Sequence, residues 1–177
     1  MDNKMIKVKG ERLKVIGACL VALLLAACTQ NNWADWKVQN ELWLENNLKK
    51  EGVQVTESGL QYKIIADPTP KDARPNTTST IVCDYRVTLI NGFQVDAGTA
   101  VALNLQNVIP GFMEGCRKIH NNGDIELYIP AYLGYDYSKY ESDEYDQAEG
   151  AGTEGTSSFI PPYSTLIYVI HLCSVSD

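Results

Sequence analysis

Histidine is scarce in this chain: only His120 and His171 occur, and neither stands at metal-ligand spacing from another histidine or a cysteine. Each reads as a surface or strand side chain, and a histidine–cysteine metal centre has no ligand set. A Ser-His-Asp arrangement is missing too, so no nucleophile comes with its base. The glycines of Glu149-Gly150-Ala151-Gly152-Thr153-Glu154-Gly155 lack the lysine of a phosphate-binding loop and are interleaved with acids that repel phosphate. Glu141, Asp143, Glu144 and Asp146 fall in a stretch from Asp136 to Ser158 with almost no aliphatic residue to bury a carboxyl and raise its pKa. That stretch reads as a long exposed acidic loop, and paired-carboxylate chemistry drops out. No metal and no cofactor is expected.

Long apolar runs are nearly absent as well. The charge-free run Val15 to Ala27 follows Lys4, Lys7, Lys9, Arg12 and Lys14 and falls short of the roughly 20 residues that span a bilayer. It reads as a secretory signal. It ends Leu25-Ala26-Ala27-Cys28, which resembles the bacterial lipobox and implies that Cys28 becomes the lipidated first residue of the mature protein. Each acyl methylene buried in a membrane contributes about 0.8 kcal/mol to such an anchor.

Basic residues are also in deficit. Residues 1–27 hold 5 of the 15 Lys and Arg and 2 of the 22 Asp and Glu, so the mature chain keeps 10 against 20, a net charge of −10. Nucleic acid is therefore a poor partner. Thr29 follows the lipidated cysteine where, by resemblance to known sorting rules, Asp would signal inner-membrane retention, and Gln30-Asn31-Asn32 lacks the acidic run of a surface-export signal. The expected location is an outer-membrane lipoprotein facing the periplasm of a Gram-negative bacterium, with surface exposure as the alternative.

The remainder has 45% hydrophobic residues over the whole chain and three tryptophans, enough for one real core. After a 28–32 tether, the spacing Trp33, Trp36, Asn40, Trp43, Leu44, Leu48 predicts a helix over 33–52, stopped at Lys49-Lys50-Glu51-Gly52. Its aromatic stripe is expected to pack on its own domain. Strands are predicted at 59–65, 80–89, 93–96, 101–105, 124–129 and 164–173, with Asn91-Gly92 as a hairpin turn and Pro110 opening a short helix to Ile119. Cys83, Cys116 and Cys173 have apolar neighbours and read as buried thiols. At most one disulfide can form among the three, and Cys83 with Cys173, both in predicted strands, is the pair to test.

An aromatic set completes the inventory: Tyr85, Phe112, Tyr135 and Tyr168, with Val95, Val101, Val108, Ile109 and Ile160 as aliphatic companions and Asp96 as the one carboxylate. Five ordered segments carry a resemblance. They are K-K-E-G-V with S-G-L-Q-Y-K-I-I (49–65), D-Y-R-V-T-L-I-N-G-F-Q-V-D (84–96), V-I-P-G-F-M-E-G (108–115), I-P-A-Y-L-G-Y (129–135) and I-P-P-Y-S-T-L-I-Y-V-I-H-L (160–172). Over these the chain resembles the FKBP-type peptidyl-prolyl isomerases, in the bacterial branch that includes the macrophage infectivity potentiator proteins.

The resemblance implies an α+β fold over 53–177, a twisted antiparallel sheet wrapped around one short helix. It also implies a proline pocket in which Tyr85, Asp96, Ile109, Phe112, Tyr135 and Tyr168 act on the substrate. Val95, Val101, Val108 and Ile160 would help bind it. The implied partners are proline-containing unfolded or exported polypeptides and the family's macrolide inhibitors. This chain departs from the pattern at Phe112, where Trp is commoner, at Val95 and Val101, where Phe is usual, and at Asp136, where Gly is usual. An arginine partner for Asp96 also has no match. The alternative reading is a catalytically weakened domain that works as a peptide-binding chaperone or an envelope interaction lipoprotein. Both monomer and dimer stay open. Metabolic labelling with a fatty acid is expected to mark the wild-type chain in its membrane fraction and to fail on Cys28→Ala.

Overall fold

The computed structural model describes residues 33–68, 74–135 and 160–176. The signal run, the tether with Cys28 and the acidic stretch 136–158 lie outside the described residues. The elements in chain order are α1 (Ala34–Asn47), β1 (Gln54–Val55), β2 (Gln61–Ala66), β3 (Thr80–Thr88), β4 (Gln94–Asn104), α2 (Pro110–Cys116), β5 (Gly123–Ile129) and β6 (Leu166–Ser176). Short 3₁₀ turns follow β4 at Leu105–Asn107 and β5 at Ala131–Leu133.

The strands form one antiparallel sheet in the order β1-β2-β5-β6-β3-β4. Strand alternation sends Ile81, Cys83, Val87, Ile125, Leu127, Ile170 and Leu172 to one face, where they join Phe112, Cys116 and Ile119 in the core. The predicted strands 93–96 and 101–105 are one continuous β4. Its register against β3 slips between Cys83 and Tyr85, where Ala100 takes a φ of 51°. A bulge is invisible to an alternation test because it changes phase in mid-strand.

On the concave face lies α2, short because Pro110 fixes its start and Arg117 ends it. Two glycines let it touch the sheet. A Cβ on Gly111 would come within 2.5 Å of Ile129 Cγ2, and one on Gly115 would collide with both methyls of Leu127.

Helix α1 is shorter than the sequence predicts. Residues 48–52 form turns instead, with the Lys49 and Lys50 N–H groups donating to Asn46 and Asn47 carbonyls, and Gly52 at φ 80° turns the chain toward β1. The helix packs on its own domain, but through polar groups. Asn40 and Asn47 are 2% and 0% exposed. The Thr165 N–H donates to Asn40 Oδ1 (2.7 Å), Asn47 Nδ2 donates to Gln61 Oε1 (3.0 Å), and Trp36 Nε1 donates to Ser164 Oγ (3.0 Å). Trp43 meets Tyr128 at 5.7 Å between ring centroids, and the Lys50 ammonium stands 4.9 Å above the Trp43 ring.

The cysteine pair left open to test does not bridge, Cys173 is half-buried where the sequence predicts a buried thiol, and the reading of His120 is corrected. Cys83 and Cys173 are both free thiols, because Cys83 faces Leu172 in the core while Cys173 falls at a register slip with its Sγ 4.0 Å from Asp84 Oδ1. Burial, then the neighbouring Cys173 and Asp84, push the Cys83 thiol up to about 12. His120 is neither a surface nor a strand residue. It is 6% exposed, its Nδ1 lies 2.8 Å from Asp67 Oδ2, and Arg74 Nε donates to its Nε2 (3.2 Å).

The Asp67 carboxyl shows which effect wins in that cluster. Burial alone would raise it, but the His120 backbone N–H and ring and the Arg74 charge together hold it below the usual carboxylate range. A depressed folded-state pKa stabilises the fold above the unfolded value and is lost as pH falls through the folded one. Asp67→Asn is therefore expected to lower the unfolding midpoint at neutral pH and to have progressively less effect in acid below about pH 4. Gly115→Ala should cost roughly 1–3 kcal/mol by overpacking against Leu127, read from denaturant unfolding.

Candidate active site

Where the open end of the sheet meets α2, a cavity of about 470 Å³ is walled by Tyr85 and Asp96 from neighbouring strands, by Tyr168 from β6 and by Phe112 from α2. Leu103, Asn107, Val108, Ile109 and Tyr135 complete its described wall. That volume lies within the range of small-ligand sites. Phe112 is 3% exposed and forms the floor, its ring edge-on to Tyr168 with centroids 5.3 Å apart and planes at 70°. Tyr85 stands beside Tyr168 at 6.2 Å.

One hydrogen bond ties the polar side of this wall. The Tyr85 hydroxyl donates to Asp96 Oδ2 at 2.8 Å, while Asp96 Oδ1 accepts the Ala97 N–H at 2.8 Å. Burial, followed by the bond and charge of Asp96, pushes the Tyr85 phenol well above its ordinary value. Burial likewise raises Tyr168, with Tyr135, Tyr85 and Asp96 adding to it. Both rings therefore stay neutral donors throughout the physiological range. Ile109 precedes α2 in extended conformation, φ −60° and ψ 146°, and its carbonyl accepts from Phe112 and Met113. Among the described residues, its own N–H is left without an acceptor.

The structure brings Tyr85, Asp96, Val108, Ile109, Phe112, Tyr135 and Tyr168 to one cavity. It does not bring Val95, Val101 or Ile160 into the described wall. Val95 and Ile160 are buried in the core. Val101 sits beside Gly98: a Cβ there would lie 2.5 Å from Val101 Cγ2 and 2.8 Å from Tyr85 Cε1. Val101 is thus a neighbour of Tyr85's backing strand, and Leu103, two residues on, reaches the cavity. Leu103 and Asn107 are the wall residues that sequence reasoning missed. Leu103 shared the alternation of Val101, which was the available signal, whereas Asn107 lies in a 3₁₀ turn with no periodicity to read.

The described wall holds no serine, threonine, cysteine, lysine or histidine. It offers aromatic and aliphatic surface, one carboxylate, phenolic hydroxyls and an open backbone N–H, an arrangement that grips a compact apolar ring and hydrogen-bonds the amides around it. Residues 71–173 match the family model described as FKBP-type peptidyl-prolyl cis-trans isomerase. The chain belongs to that family. Residues 21–64 match a second model, the domain amino terminal to FKBP-type peptidyl-prolyl isomerase.

Individual FKBP-type relatives agree. FkpA of Escherichia coli strain K12 is 32% identical over 146 residues, 80% of this chain and 47% of its own length. The Outer membrane protein MIP of Legionella longbeachae is 33% identical over 143 residues, covering 78% of this chain and 54% of its own. A probable FKBP-type isomerase FkpA of Neisseria meningitidis is 29% identical over 98% of this chain and 60% of its own. The chain thus spans about half the length of the curated relatives it matches. The crystal structure of Escherichia coli FkpA superposes with a TM-score of 0.68 at 26% identity, covering 99% of this chain and 74% of that one.

The electrostatics of this FKBP-type cavity can be checked without substrate. In an absorbance titration of the tyrosines, Asp96→Asn is expected to bring one late-ionising phenol partway down, since the charge is removed but the larger effect, burial, remains. An unchanged titration would separate Tyr85 from Asp96 in solution.

Proposed function

We propose that this protein accelerates cis–trans isomerisation of X-Pro bonds in polypeptides exported to a Gram-negative cell envelope, anchored to the outer membrane through a lipid on Cys28. The observation that carries the reading is the convergence of Phe112, Tyr168, Tyr85 and Val108 with the Ile109 N–H and Asp96 on one cavity. The names of the relatives, an FKBP-type isomerase and an outer membrane protein, support the activity and the envelope location.

The barrier to rotation about an X-Pro bond is about 18–20 kcal/mol because rotation breaks amide resonance. No covalent bond need form. The planar amide is the more charge-separated state, so moving it from water into an apolar wall favours the twisted state, with about 1.4 kcal/mol for each factor of ten in rate. Phe112, Tyr168 and Val108 hold the proline ring, which fixes one end of the rotating bond. The Ile109 N–H donates to the carbonyl on one side and the Tyr135 hydroxyl to a neighbouring one. Asp96, by accepting from Tyr85, sets the orientation of that phenol against the ring.

A second reading has one observation in its favour. Leu103 stands in the wall on the β4 side, with Val95 turned into the core, so that side is aliphatic and presents no aromatic face. A peptide held there without acceleration would make the protein a binding module for unfolded chains. Catalysis of proline-peptide isomerisation by the chain, inhibited by a macrolide of the kind this family binds, supports the enzyme, whereas macrolide binding without catalysis supports the module. Phe112→Ala is expected to reduce kcat/KM by about tenfold to a hundredfold, from the loss of roughly 1.4–3 kcal/mol of contact with the bound ring.

A further inference from the structure

We infer that Asp96 biases the cavity toward prolines flanked by a lysine or arginine. The inference rests on the isomerase reading and names the substrate class of that site. Asp96 carries the sole formal charge in the described wall. Its two oxygens are engaged by neutral donors, the Tyr85 hydroxyl at 2.8 Å and the Ala97 N–H at 2.8 Å. Each oxygen keeps a further lone pair.

A cation to neutralise it is missing among the described residues. The ion pairs there join Lys37 to Glu41, His120 to Asp67 and His171 to Asp124, and none involves Asp96. Arg86, next to Tyr85 in β3, alternates to the opposite face of the sheet and is exposed. The proton of the Tyr85–Asp96 pair stays on the phenol, so the pair as a whole keeps one negative charge at the cavity wall.

A bound peptide sets its proline over Phe112 and against Tyr168, whose rings meet edge-on, and carries its flanking side chains out along this wall. An ammonium or guanidinium on such a side chain supplies the counter-charge that the protein leaves out. A glutamate in the same place meets an uncompensated carboxylate beside apolar surface, where charges are screened less than in water. The carboxylate thus selects among substrates as well as orienting Tyr85.

The test uses the full chain and short peptides that differ only in the residue before or after proline, which is lysine, leucine or glutamate. At low salt kcat/KM for the lysine peptides is expected to exceed that for the glutamate peptides by about tenfold. The ratio should fall toward one in high salt and in Asp96→Asn, and survive in Asp96→Glu, which keeps the charge. Lysine and glutamate peptides within about twofold of each other would overturn the inference. So would a preference that persists in folded Asp96→Asn, since it would then belong to the chain's overall negative charge of −7. Should no peptide be turned over, the isomerase reading fails, and the equilibrium Kd of the same peptides decides the inference by the same ratios.

Discussion

The fold and the cavity both depend on how closely α2 approaches β5. Gly111 and Gly115 face Ile129 and Leu127 with no Cβ between backbone and side chain. That contact sets the depth of Phe112, which lies between the two glycines in sequence and forms the cavity floor. Because packed interiors tolerate little overlap, lifting the helix by even a methyl group would move the floor, the Ile109 N–H and the wall at Val108 together. Binding surface and core packing are in this sense one feature, and the segment V-I-P-G-F-M-E-G encodes both.

Opposite this floor the site is organised by charge. A single carboxylate and a phenol make the polar rim of the described wall, and the phenol, already the far weaker acid and pushed further up by burial and by Asp96, holds the proton. The arrangement suits work on an amide, whose rotation needs no acid, base or nucleophile. It also accounts for the shortage of histidine noted at the outset, since the two histidines are occupied elsewhere. His120 ties Asp67 and Arg74 together on one side of the domain, and His171 meets Asp124 across β6 and β5.

Much of this was legible in the residues. Alternation located β2, β3, β5 and β6 within a few positions, and Pro110 marked the start of α2. The motif order assembled seven of the wall residues, from Tyr85 to Tyr168. What escaped has physical causes. The slip at Ala100 splits the pattern of β4, and Leu103, which reaches the described cavity wall, was passed over for Val101, which does not. Helix α1 hides its docking surface because asparagines do the burying and tryptophans sit at the margins. A search for apolar stripes finds the helix and misjudges what holds it. Cys83 and Cys173 illustrate a related limit: neighbouring strands are necessary for a cross-link, but facing is decided by register, which residue type does not reveal.

The polar dock of α1 also bears on when the protein can finish folding. Its bonds reach from Trp36 to Ser164 and from Asn40 to Thr165, sequence separations of 128 and 125 residues. A helix near the beginning of the chain finds part of its seat early, at Gln61, but the seat is incomplete until the residues leading into the last strand have emerged. Contacts that distant are slow to form and are made late. Docking of α1 through these two bonds is therefore one of the closing steps of folding.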